Sequence, residues 1–177
     1  MSAVSAVSDK FEPPEDRSRL RLVLDLGCAP GPIDLACRTA APSDQEALAA
    51  LMLDAYRGTV DYEGESLDDA LREIGHTFSG SYGRFLSDCS FVFDGEAGLS
   101  SACLVTLLNE GKPDETPLLA FAMTRKCDQR RGLSSALILR SVAALSGLGH
   151  PRLSLAVTAA NVPARRLYEK LGFRSQG

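Results

Sequence analysis

Gln129-Arg130-Arg131-Gly132-Leu133-Ser134 is the run whose residue types and spacing best suit chemistry. An apolar stretch, Leu118 to Met123, precedes it, and a helix-patterned stretch from Leu133 to Leu148 follows. A strand that breaks into a basic, glycine-containing turn and then a helix gathers unpaired backbone N–H groups at one point. The positive end of the helix dipole lies behind them, so such a corner seats a phosphate or pyrophosphate. Arg130 and Arg131 would add charge. A second run, Asn161-Val162-Pro163-Ala164-Arg165-Arg166-Leu167-Tyr168-Glu169-Lys170-Leu171-Gly172-Phe173, accompanies it further along the chain.

The elements around these runs read in order. Residues 1–18 form a Ser/Ala/Glu/Pro-rich arm, expected to be mobile. Leu20 to Leu26 reads as a strand, Ala29 to Pro32 as a turn, and Ile33 to Cys37 as a second short strand. Ser43-Asp44-Gln45-Glu46 is a capping box, opening a helix with Leu48, Leu51, Met52 and Ala55 on one face. Ser66 caps a second helix carrying Leu67, Leu71, Ile74 and Phe78. Ser90–Phe93, Ala102–Leu108 and Leu118–Met123 are strand-like, with a hairpin loop at Asn109–Asp114. The helix from Leu133 should bury Leu137, Ala144 and Leu148 and end at Gly147 or Gly149. A strand, Leu153–Val157, and a helix from Val162 to Leu171 close the chain. This order is α+β, and its final βαβ must set two strands parallel and near each other. The expected division is an N-terminal extension over residues 1–32, with one strand, and a single domain over 33–177.

Bulk properties narrow the partners. The chain has 177 residues, 45% of them hydrophobic and 24% charged, as in ordinary globular proteins. No apolar run approaches the roughly twenty residues of a membrane span. Met1 to Asp16 lacks a basic segment followed by an apolar one, so no secretory signal is expected. Five scattered cysteines and two histidines suggest reduced thiols, a cytoplasmic location and no metal site. A net charge of −4 argues against nucleic acid. Phe121–Gly177 holds ten Lys/Arg against two Asp/Glu, and the first 120 residues hold nine against 21. That asymmetry suggests an anionic ligand on one side and a cationic one on the other.

The two runs resemble the motifs of the GCN5-related N-acetyltransferases. In that family Q/R-x-x-G-x-G/A opens the central helix, and Gln129, Arg130, Arg131, Gly132 and Leu133 fit it, with Ser134 where Gly or Ala is usual. Asn161, Ala164 and Leu167 to Phe173 follow the family's closing strand and helix. The resemblance implies a layered α/β/α acyltransferase fold: a mixed, mostly antiparallel sheet with splayed parallel central strands. It also implies acetyl-CoA as donor. Residues 130–134 would bind the pyrophosphate. The pantetheine arm would enter where the strands ending near Thr124 and starting at Leu153 part, and Met123 N–H would face the oxyanion. Tyr168 is placed beside the sulfur as general acid, and Asn161 near the cofactor as well as at a helix cap. The acceptor would be a small-molecule amine or a peptide, with a homodimer open.

Two departures stand out. The family often carries a glutamate base on the strand before the phosphate turn, and Pro117 to Phe121 has none. Asp61-Tyr62-Glu63-Gly64-Glu65 offers carboxylates instead, with Glu63 and Glu65 as candidate bases that would also attract a cationic amine. The same segment also reads as a solvated loop leading into Ser66. Second, only four residues follow Phe173, so an exposed sheet edge is expected unless Leu20–Leu26 or another subunit covers it. Two other functions compete. One is a catalytically degenerate acyl-CoA sensor or scaffold. The other is an S-adenosylmethionine-dependent methyltransferase, suggested by Val23-Leu24-Asp25-Leu26-Gly27-Cys28-Ala29-Pro30-Gly31. That glycine turn does not lead into a helix-patterned segment.

Overall fold

Two periodicities divide the chain into a sheet and the helices laid on it. The computed structural model describes residues 16–176. In order these form β1 (Arg19–Asp25), β2 (Arg38–Thr39), α1 (Gln45–Tyr56), α2 (Leu67–Ser79), β3 (Arg84–Phe85) and β4 (Phe91–Gly95). There follow β5 (Gly98–Leu108), β6 (Thr116–Thr124), α3 (Leu133–Gly147), β7 (Arg152–Thr158), α4 (Val162–Lys170) and β8 (Arg174–Ser175). The sheet runs β2-β4-β5-β6-β7-β1-β8, with β3 also on β5. Every pairing is antiparallel except β6 with β7. This is the expected α+β architecture.

β5 shows why the sheet is covered on both faces. Leu99 to Leu107 are all buried, so the strand has no solvent side. Ala102 and Leu104 pack with α1 and α2 residues such as Leu48, Met52 and Ile74. Cys103, Val105 and Leu107 pack the other way, with Leu137, Val142 and Leu145 of α3. Leu167 and Tyr168 of α4 lean on that second core, and Phe173 is wholly buried in it. Burying such a side chain contributes about 1.5–3 kcal/mol.

β1 lies along β7 over its whole length, from Arg19 opposite Thr158 to Asp25 opposite Arg152. Leu22 and Leu24 enter the core. The N-terminal segment thus supplies the strand that covers the β7 edge, and β8 adds two residues outside it. Residues 1–15 of the expected arm lie outside the described residues. Asp16 and Ser18 already accept bonds from Ala160 and Ala159 N–H.

Several local expectations change. Residues 33–37 form no strand, and pairing starts at Arg38. Ser43 does not cap α1; Asp44 instead accepts from Ala41 N–H at 2.9 Å and pairs with Arg38. That guanidinium holds the Asp44 carboxyl below its usual range. Leu148, expected in the core, is 61% exposed because it follows the last turn of α3, where Gly149 reverses the chain at φ +83°. The methyltransferase reading fails on geometry. After β1 comes a single 3-10 turn, Leu26–Cys28, capped by Asp25, with no helix behind it to meet a cofactor.

Candidate active site

The corner between β6 and α3 is built mostly of main chain. Arg130 and Gly132 both take left-handed conformations, φ +62° and +78°. For arginine that costs about 1–3 kcal/mol, a strain typical of functional turns. The first bond of α3 is Ala136 N–H to Gly132 O at 3.0 Å, and no side chain caps the helix. The N–H groups of residues 133–135 therefore face a cleft of about 610 Å³ that Leu133, Ser134 and Ser135 line. Gln129 closes the turn by donating to Thr124 O at 3.2 Å. Ser134 and Thr124 share a 2.6 Å hydroxyl contact, and Thr124 meets Ser101 at 2.8 Å.

The end of β6, the turn after β7 and α4 line more of this cleft, beside the point where the two strands splay. β6 carries a bulge at Ala120, where the register against β5 slips between Leu104 and Val105. β6 and β7 share a single register pair, Leu118 with Ser154, and part beyond it. Bulges bend a strand and end its pairing in this way. Past the bulge, Arg125 N–H bonds Ser100 O, so alternation turns the N–H of Met123 toward β5 and those of Ala122 and Thr124 toward the gap.

A second cavity of about 280 Å³ lies on the other side of the bulge, lined by Ala120 and Phe121 with side chains from several elements. Arg19, Asp61, Glu65, Glu73, Tyr62 and Tyr168 all reach its wall. Asp61 accepts from Thr158 Oγ1 at 2.5 Å and from Asn161 Nδ2 at 2.6 Å. Arg19 donates to Thr158 Oγ1 and Ala156 O, both at 3.2 Å. Tyr82 donates to Glu73 at 2.6 Å. Burial raises the Tyr168 phenol above its ordinary value, with nearby Cys103 and Asp61 adding to the rise. Tyr56, Ala122, Asn161 and Ala164 line both spaces, so cleft and cavity meet there.

Residues 47–173 match the family model described as Acetyltransferase (GNAT) family. The chain belongs to that family. Its fold is similar to a GCN5-related N-acetyltransferase from Sphaerobacter thermophilus (TM-score 0.65, 17% identity, 89% of this chain and 48% of that one). It is also similar to the ribosomal-protein-S18-alanine N-acetyltransferase from Escherichia coli (0.60, 22%, 80% and 79%). A third is an aminoglycoside N-acetyltransferase, AAC(6')-Iy, in complex with CoA (0.59, 14%, 80% and 88%). The chain spans about half the length of the Sphaerobacter protein. No curated protein matches the sequence significantly.

Within this GNAT fold the expected site residues divide. Thr124, Gln129, Arg130, Gly132, Leu133, Ser134 and Asn161 all line the larger cleft. Met123 lines it too, but its N–H is spent on β5, and Ala122 or Thr124 offers the free amide. Arg131 pairs with Asp128 at 2.6 Å. The Ser100 hydroxyl and Arg131 together keep the Asp128 carboxyl below its usual range. Tyr168 and Glu65 reach the second cavity. Glu63 does not line it: 69% of its side chain is exposed and it pairs with Arg17. Asn161 also caps α4, accepting from Ala164 N–H at 3.1 Å. Four residues of the site went unmarked in the sequence. Tyr56 continues the buried face of α1 beyond Ala55, and Glu73 flanks the buried face of α2, so helical spacing hinted at both. Asp61 stood in the acidic segment without being singled out, and nothing pointed to Arg19. Among the described residues, no cluster of His, Cys, Asp and Glu could hold a metal, and no helix is long and apolar enough to cross a membrane.

Proposed function

We propose that this chain transfers an acetyl group from acetyl-CoA to a primary amine, with small cationic amines favoured. One observation carries the reading: the uncapped front of α3, the end of β6 and the turn after β7 border a single cleft, which meets an acid-lined cavity partly walled by β7. The diphosphate suits the N–H groups of residues 133–135, with Arg130 beside them. The pantetheine amides suit the ladder positions that β6 and β7 leave open. The thioester would then arrive at the junction, where Ala122 or Thr124 N–H meets a developing oxyanion.

On the acceptor side, Asp61, Glu65 and Glu73 outnumber Arg19, so the wall attracts an ammonium. Glu65 and Glu73 can take the proton that the attacking nitrogen loses, directly or through water. Tyr168, kept protonated by burial, supplies a proton on the path to the departing thiolate. Tyr168→Phe should lower kcat by about 10- to 10⁴-fold, the span of general-acid contributions, with CoA affinity little changed. Thiol release from acetyl-CoA over a panel of amines tests the activity. CoA binding without release for any amine would point instead to an acyl-CoA sensor, and no calorimetric heat with CoA would remove the reading altogether.

A further inference from the structure

Four residues border both the donor cleft and the acceptor cavity: Tyr56, Ala122, Asn161 and Ala164. Two are methyl groups. Asn161 has its amide engaged at both ends, by Ala164 N–H and by Asp61. Tyr56 is therefore the one titratable side chain, among the described residues, that stands where the two spaces join. Tyr168 borders the acceptor cavity alone. Among the described residues no buried side-chain oxygen is left without a partner and no group bonds the Tyr56 hydroxyl, so that hydroxyl is not sealed in the core, and its residue lines both spaces. Burial lifts its pKa, and the neighbouring Tyr168 and Asp61 lift it further against the opposing pull of Arg19. Tyr56 thus carries its proton at neutral pH.

We infer that Tyr56 is a second catalytic phenol, the group at the junction that protonates the departing thiolate, with Tyr168 behind it and linked to it through water. The inference rests on the acetyl transfer proposed above. As the amine nitrogen bonds the carbonyl carbon, the C–S bond breaks and its electron pair goes to sulfur. The Tyr56 O–H breaks and an S–H bond forms. Through water in the cavity, Tyr56 recovers a proton from Tyr168, and Tyr168 recovers the one the nitrogen gives up to the acidic wall. No proton is left over.

The test compares the parent with Tyr56→Phe, Tyr168→Phe and the double variant by thiol release, with CoA affinity and melting temperature measured on each. Tyr56→Phe should lose about 10- to 10⁴-fold in kcat, with the acceptor KM and CoA affinity of the parent. The double variant should be no slower than the slower single one, since both phenols serve one path. A kcat for Tyr56→Phe equal to the parent's, a loss confined to KM, or losses that multiply in the double variant would each overturn the role. If Tyr56→Phe melts early, difluorotyrosine at position 56 keeps ring and hydroxyl while making the phenol more acidic. An unchanged kcat there would overturn it as well. A parent that turns over beside an equally fast Tyr56→Phe removes this role alone, and an inactive parent removes the reaction and this role together.

Discussion

The donor cleft takes one wall from a single run of main chain, residues 122–135: a strand end, a turn with two left-handed residues and the front of a helix. The acceptor cavity takes its wall from side chains brought together from β1, α1, the connection to α2, α2 itself, β6, β7 and α4. The first lies in the basic part of the chain, and the second collects three carboxylates from the acidic part. Main-chain sites tolerate side-chain exchange and fail when φ is disturbed. Side-chain sites behave the other way round. The two regions should therefore answer to different kinds of substitution.

Among the substitutions that probe this contrast, the largest effect is expected at Gly132. A Cβ there meets nothing within 4 Å, so Gly132→Ala adds no clash and tests conformation alone. Holding alanine at φ +78° costs about 1–3 kcal/mol, and relaxing it turns the N–H groups of residues 133–135 away from the cleft. If that strain falls on the bound state, CoA affinity drops by about 10- to 100-fold in calorimetry. Arg131→Ala should weaken CoA far less, because the guanidinium is 60% exposed and already tied to Asp128. The opposite ranking would make the donor site a charge site built from side chains.

The same distinction explains what the sequence disclosed. A main-chain site is contiguous, so glycine, basic residues and the strand-to-helix change of period announced it. Alternation could also have corrected the oxyanion donor, since Met123 and Arg125 must face the same neighbour. Which neighbour that is depends on β5, more than twenty residues earlier. The early strand Leu20–Leu26 was legible from its apolar run, and the pairing of Arg19 with Thr158 shows that it covers the β7 edge. The acceptor wall was hardly legible. Glu63 and Glu65 are two positions apart, yet one reaches the cavity and the other pairs with Arg17 in solvent. Arg19 comes from a strand that no local pattern links to the site. Apolar spacing located the buried faces of α1 and α2 without saying which polar residue beside them meets a cavity.

Asp61 probes the seam between the two regions and should show the next largest effect. Its carboxylate joins the connection after α1 to Thr158 and Asn161, and Asn161 borders both spaces. Asp61→Ala leaves two partly buried partners short of a bond, at about 1–3 kcal/mol. The acceptor KM should rise about tenfold, as one such bond implies, and the melting temperature should fall. Asp61→Asn keeps an oxygen for Asn161 and gains a donor for Thr158 Oγ1, so it should retain most of both. If Asp61→Asn were as damaging as Asp61→Ala, the negative charge rather than the tether would be what the site uses.

Glu63 gives the smallest effect and the sharpest check on where the acceptor cavity ends. Its exposed pair with Arg17 falls in the class worth about 0–1 kcal/mol. Glu63→Gln should leave both the melting temperature and kcat/KM for cationic amines at parent values. Glu65→Gln and Glu73→Gln remove charge from the wall itself, so each should lower kcat/KM for those amines more than for neutral ones. The difference should shrink as added salt screens the wall. A loss at Glu63 larger than at Glu65 and Glu73 would mean that the solvent-facing loop, and not the enclosed wall, meets the incoming amine. The acceptor site would then be an open surface, and its contrast with the main-chain donor cleft would have to be drawn again from the loop outward.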